Sequence, residues 1–172
     1  MGGIAGKISS TGMIEKPLLE SMIATLKHRG PDGKGVYVDN SGTPAVGLAN
    51  SRLSVVDLAA GYQLVSNEDG ALWAVLDGEI CDFPELRERL LGNGHVFKTK
   101  GCAEVLLHLY EEKGVAMVED LNGAFAFAIW DGKNKRFFAA RDRVGTKPFN
   151  FFYDSKNLVF GSEAKAILED PG

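Results

Sequence analysis

Between Ala124 and Gly161 the chain passes through four strand-like segments, Ala124–Trp130, Arg136–Ala140, Phe149–Tyr153 and Leu158–Gly161. The turn clusters Asp131-Gly132-Lys133-Asn134 and Ser155-Lys156-Asn157 separate them pairwise, the pattern of consecutive hairpins. Parallel neighbours need a crossover of a dozen or more residues, so this spacing calls for mostly antiparallel sheet. A further hairpin is predicted earlier, where Asn40-Ser41-Gly42 divides Gly35–Val38 from Ala45–Leu48. Strands are also expected at Ile4–Ile8 and Ala71–Leu76. Helical spacing of apolar residues occurs at Ile14–Leu26 and at Ala103–Lys113, the second stopped by Gly114. Asp82, Pro84 and Glu85 predict a capping box opening a helix that runs to Leu91 and ends at Gly92-Asn93-Gly94. A short closing helix begins at Ser162. Helices outside antiparallel sheets make an α+β layered domain.

A chain of 172 residues fits one domain, and its 45% hydrophobic and 24% charged residues are ordinary for a globular core. Residues 1–168 are expected to form it, with 169–172 as a loose tail. The formal net charge of −4, with both signs interspersed, offers no footprint for nucleic acid or an anionic membrane. No apolar run approaches the ~18 residues of a membrane span. Met1–Gly6 lacks the basic and apolar stretches of a secretory signal, and Cys81 and Cys102 make no disulfide framework, so a reducing cytoplasmic setting is expected. His28, His95 and His108 lie too far apart in sequence for a zinc motif, and no calcium or phosphate loop is present; no metal or cofactor is expected. The 21 glycines predict tight turns or close backbone approaches.

Dense polar clusters interrupt the pattern at His28-Arg29-Gly30-Pro31-Asp32-Gly33, Arg52–Asp57, Asp77-Gly78-Glu79 and Arg141–Pro148. Singly, these are turn sequences and solvated charge. In order, with Gly3-Ile4-Ala5-Gly6, Glu104-Val105, Leu121-Asn122-Gly123, Phe125–Ala128 and Ser162-Glu163-Ala164-Lys165, the chain resembles the N-terminal glutaminase domain of glutamine-dependent asparagine synthetases over nearly its whole length. That is a class II glutamine amidotransferase of the N-terminal-nucleophile hydrolase superfamily. The resemblance implies an αββα sandwich, two antiparallel sheets between helical layers.

It also implies a chemistry. In the family a cysteine following the initiator Met attacks the glutamine side-chain amide, its own α-amine accepting the thiol proton. An Asn side chain and the N–H of the next Gly hold the oxyanion, an Arg grips the substrate carboxylate, and acidic groups hold its amine. Here the nucleophile position is Gly2, which has no thiol. Asp77 stands at the oxyanion Asn, followed by Gly78 with its N–H intact. Cys102 stands where an amine-binding Asp is usual. Arg52, Val55 and Glu79 stand at the family's substrate-binding positions, while the plain reading of Arg52 is a structural ion pair to Asp57 or Asp32. For the two cysteines, the plain reading is a small, buried or half-buried hydrophobe; the sharper one makes Cys102 a relocated nucleophile or a redox-sensitive group.

Two functions follow from the resemblance. One is a catalytically inactive amidotransferase-like domain that binds glutamine or a related amino acid, or docks on a partner. The other is a glutaminase domain supplying ammonia to an asparagine-synthetase-type acceptor, with an engineered or relocated nucleophile. The Ser-Gly-Gly-x-Asp-Ser nucleotide motif of the synthetase half is absent from this sequence, so an ATP-dependent synthetase domain or subunit is the expected partner.

Overall fold

The computed structural model describes residues 2–53 and 64–172. In chain order the elements are β1 (Gly2–Ser9), α1 (Lys16–Ala24), β2 (Gly33–Asp39), β3 (Ala45–Arg52), β4 (Leu64–Ser66), β5 (Leu72–Ile80), α2 (Phe83–Gly92) and α3 (Cys102–Lys113). A 3₁₀ segment (Gly114–Asp120) leads to β6 (Gly123–Asp131), β7 (Arg136–Arg141), β8 (Asn150–Tyr153), β9 (Asn157–Gly161) and α4 (Ala164–Ile167). The strands form two sheets, one ordered β2-β3-β1-β9-β8 and the other β4-β5-β6-β7, and every neighbouring pair is antiparallel.

Alternation along the strands sorts apolar side chains into three layers. Ile4, Val46, Leu48, Val75, Ala126, Ala128, Trp130 and Phe160 are buried between the sheets. Ala5, Ala49 and Val159 face Leu19, Met22, Ile23 and Leu26 of the α1 region. Leu76, Phe127 and Ile129 face Leu106, Leu109 and their neighbours on α3. Helix α1 lies across β1, β2 and β3, while α3 lies against β4 and β5, completing the expected αββα order. Gly47 lets α1 come close, because a Cβ there would stand 2.7 Å from a methyl of Leu19 and 2.9 Å from one of Ile14.

Several local expectations change. β5 continues through Asp77, Gly78 and Glu79, since its pairing with β6 persists as Asp77↔Ala126, Gly78↔Phe125 and Glu79↔Ala124. β4, three residues long, was too short to be expected from sequence. The predicted capping box at Asp82 does not form: the residue sits at φ −95°, ψ 19°, outside the extended region that aims a capping side chain, and it makes no cap bond. The tail expected to be loose is tied at Asp170, whose Oδ2 lies 2.6 Å from Lys7 Nζ; burial of Lys7 makes that partner necessary. Among the described residues no helix is long and apolar enough to cross a membrane.

Candidate functional site

Strand β1 is the middle strand of its sheet, and its register places Gly2 directly opposite Arg52 at the end of β3. β5, from the other sheet, packs against β1 and delivers Asp77 to the same end. The Gly2 backbone N–H donates to Asp77 Oδ1 at 3.2 Å. The structure therefore brings together Gly2, Asp77 and Arg52, with Gly78 and Glu79 next along β5. Val55, like Asp57, lies outside the described residues.

Asp77 has no solvent exposure, and a buried carboxylate requires cations or donors on both oxygens. Arg29 Nη2 donates to Oδ2 at 2.7 Å, and Ser162 Oγ donates to the same atom at 3.3 Å. Lys147 Nζ stands 3.8 Å from Oδ1. Arg29 also donates from Nε to the Gly2 carbonyl at 3.0 Å and from Nη1 to Glu163 at 3.3 Å, so one guanidinium fixes the start of β1 against β5 and the end of β9. Glu163 is in turn 2.8 Å from His28 and 3.0 Å from Lys165. Burial pushes the Glu163 carboxyl up, but Lys165, His28 and Arg29 outweigh it and hold the pKa near 2.

Lys147 is aimed by its loop. The Asp142 carboxylate accepts the backbone N–H of Thr146 at 2.8 Å and of Lys147 at 3.0 Å, while the Asp142 N–H donates to Phe125 of β6. Sequence reasoning singled out neither Arg29 nor Lys147 nor Ser162 as site residues. All three lie inside the polar blocks at 28–33, 141–148 and 162–165, but only the packing of the two sheets shows that these blocks converge.

Gly78 is confined to glycine by its surroundings. Its φ is +114°, and a Cβ would lie 2.0 Å from the carbonyl oxygen of Ala124. The strand thus turns its backbone immediately after Asp77. Glu79 is exposed.

Cys102 opens α3 and is half-buried against the core below β5. Burial pushes its thiol pKa up, and the nearby Glu79 adds to that, outweighing the bonds that favour the thiolate. A protonated, half-buried thiol is a poor nucleophile. The three histidines, expected to be scattered, are not all apart: His95 and His108 are in ring contact, with centroids 4.7 Å from each other.

Two sandwiched antiparallel sheets with the polar cluster at the buried start of the central strand belong to a known class. The chain is a member of the glutamine amidotransferase domain family, matching it over residues 1–172. Its relatives include asparagine synthetase [glutamine-hydrolyzing] 2 of Bacillus subtilis, 40% identical over 154 residues, which cover 90% of this chain and 20% of that protein. Asparagine synthetase [glutamine-hydrolyzing] 3 of the same organism is 39% identical, over 99% of this chain and 28% of its own length. A probable asparagine synthetase [glutamine-hydrolyzing] of Dictyostelium discoideum is 37% identical, over 97% and 29%. The chain thus spans between a fifth and three tenths of these relatives, matching their glutamine amidotransferase domains. Among solved structures, the glutamine phosphoribosylpyrophosphate amidotransferase from B. subtilis, complexed with ADP and GMP, superposes with a TM-score of 0.77 over 96% of this chain and 42% of that one. At 19% identity that likeness shows a shared fold.

Proposed function

We propose that this domain binds glutamine or a related amino acid without hydrolysing it, as a ligand-binding or docking module for an ATP-dependent, asparagine-synthetase-type ligase domain or subunit. The observation that carries the proposal is the cluster around Asp77. At the position that the family resemblance assigns to the oxyanion amide, a buried carboxylate is paired to Arg29 and approached by Lys147, and it accepts the N–H of Gly2, which brings no thiol. A carboxylate in that place repels a developing oxyanion, and loss of one such donor alone typically lowers turnover ~10²–10³-fold. Arg52, directly across from Gly2, keeps the guanidinium that a bound carboxylate would need.

The competing function, a working glutaminase with Cys102 as relocated nucleophile, is disfavoured by that thiol's raised pKa and partial burial. Glutamate release from millimolar glutamine separates the two. The protein as it stands, and the Gly2→Cys variant alone, are expected to release none, whereas Gly2→Cys/Asp77→Asn regains turnover once Met1 is removed. Titration calorimetry is expected to detect glutamine or glutamate binding that Arg52→Ala abolishes. Release by the parent protein that disappears on Cys102→Ala would establish the competing function.

A further inference from the structure

Asp77 lies near one end of β5, and a second polar cluster is built around the other. Glu68 stands in the turn before β5, His95 in the connection between α2 and α3, and His108 in the body of α3. Each can offer one ligand atom, and the three atoms all lie within 4.8 Å of one another.

His108 is the informative member. Its side chain has no exposure, packed edge-on to Phe97 and tilted against His95. Nδ1 is 2.8 Å from Glu111 Oε2, the contact in which an imidazole N–H is given to a carboxylate. Nε2 is buried and, among the described residues, makes no close hydrogen bond. The nearest carboxylate oxygen is Glu104 Oε1, 3.8 Å away, and it already accepts the N–H of Lys98 at 2.7 Å. A histidine held through one nitrogen by a carboxylate, and facing a carboxylate already engaged elsewhere at the other, has the basicity of a metal ligand.

The charge around the pair points the same way. His95 is 3.4 Å from both Glu111 and Glu112, His108 is flanked by Glu104 and Glu111, and Glu68 completes four carboxylates about two imidazoles. The neighbouring cation, Lys98, donates its Nζ to the Asn67 carbonyl. Such an excess of acceptors is balanced by protons on the rings or by a cation.

We propose that Glu68, His95 and His108 form a binding site for a divalent transition-metal ion, with Zn²⁺ the best match. Two imidazoles and one carboxylate suit zinc rather than magnesium or calcium, which take oxygen donors. A tetrahedral ion holds its ligand atoms about 3.3 Å apart, so the exposed Glu68 side chain closes onto the two rings, and water takes the fourth position. The ion would clamp the β4–β5 turn and the α2–α3 connection onto α3.

The test uses the whole chain, stripped with EDTA and dialysed, titrated calorimetrically with ZnCl₂. One equivalent is expected to bind and to raise the melting temperature. Glu68→Gln, at the surface, and His95→Gln, which keeps a polar side chain at that half-buried position, are expected to stay folded by circular dichroism and to weaken binding at least about tenfold. Co²⁺ in place of zinc is expected to give visible d–d bands without a thiolate charge-transfer band. Absence of binding at ~1 mM Zn²⁺, undiminished binding by both variants, or a thiolate band assigning the ion to Cys81 or Cys102 would each overturn the site; the first would leave the ring pair as a proton site.

Discussion

Each oxygen of Asp77 has its own partners: Arg29 and Ser162 on one, Gly2 and the more distant Lys147 on the other. Replacing it by Asn keeps the shape and removes the charge that the two cations face. Because Arg29 also holds Glu163 and is 21% exposed, the loss falls below that of a fully buried pair. Asp77→Asn is expected to cost about 2–3 kcal/mol in urea unfolding at neutral pH. The same change that would aid an oxyanion thus weakens the fold, a sign opposition measurable in one set of variants. Gly78→Ala is expected to cost about 3 kcal/mol or more, since positive φ and the Ala124 carbonyl both oppose a Cβ; urea midpoints check it. Sequence made the Asp77-Gly78-Glu79 triplet visible as chemistry, because a polar run after an apolar strand is conspicuous. It could not show Arg29 as the partner, since a guanidinium 48 residues away leaves no local periodic trace.

At the scale of elements, the loop after β7 depends on one carboxylate. Burial pushes the Asp142 pKa up, but the N–H groups of Lys147 and Thr146 outweigh it and hold it near 2, below the usual 3.8. A pKa depressed by folding gives stability that is complete above about pH 4 and is lost as pH falls through about 2. Asp142→Asn is therefore expected to lower the urea midpoint at pH 6 and to differ little from the parent near pH 2. Circular dichroism at the two pH values reads the contrast. The helices show where local signals suffice: Gly114, at φ 56°, ends α3 as its position predicts, and Pro84 lies in the first turn of α2. Asp82 shows where they fail, because a capping residue works only if the incoming chain sets its dihedrals, and that direction is imposed by the sheet the chain has just left.

For the whole molecule, the layer between the sheets carries the integrity of the fold. Trp130 is fully buried there and donates its indole N–H to Asp39 Oδ2 at 3.2 Å, joining β6 of one sheet to β2 of the other. Trp130→Ala is expected to cost about 3–5 kcal/mol and to flatten the near-ultraviolet dichroism, while Trp130→Phe keeps much of the packing and loses only the inter-sheet bond. The hairpins β2–β3, β6–β7 and β8–β9 were legible because each is closed by its own turn. The pairing of β1 with β9, which joins Ala5 to Gly161, was not, since nothing local in either strand names a partner more than 150 residues away. The candidate site sits where those long-range pairings meet, which is why its framework was foreseeable by resemblance and its ionic wiring was not.

The hydrogen bond from Gly2 to Asp77 has one more consequence. While Met1 remains attached, the Gly2 nitrogen is a neutral amide; once Met1 is cleaved, the same nitrogen becomes an ammonium 3.2 Å from a buried carboxylate. Amino-terminal maturation would then write a unit of positive charge into the interior of the protein, so two preparations with identical genes and different processing would be electrostatically different molecules.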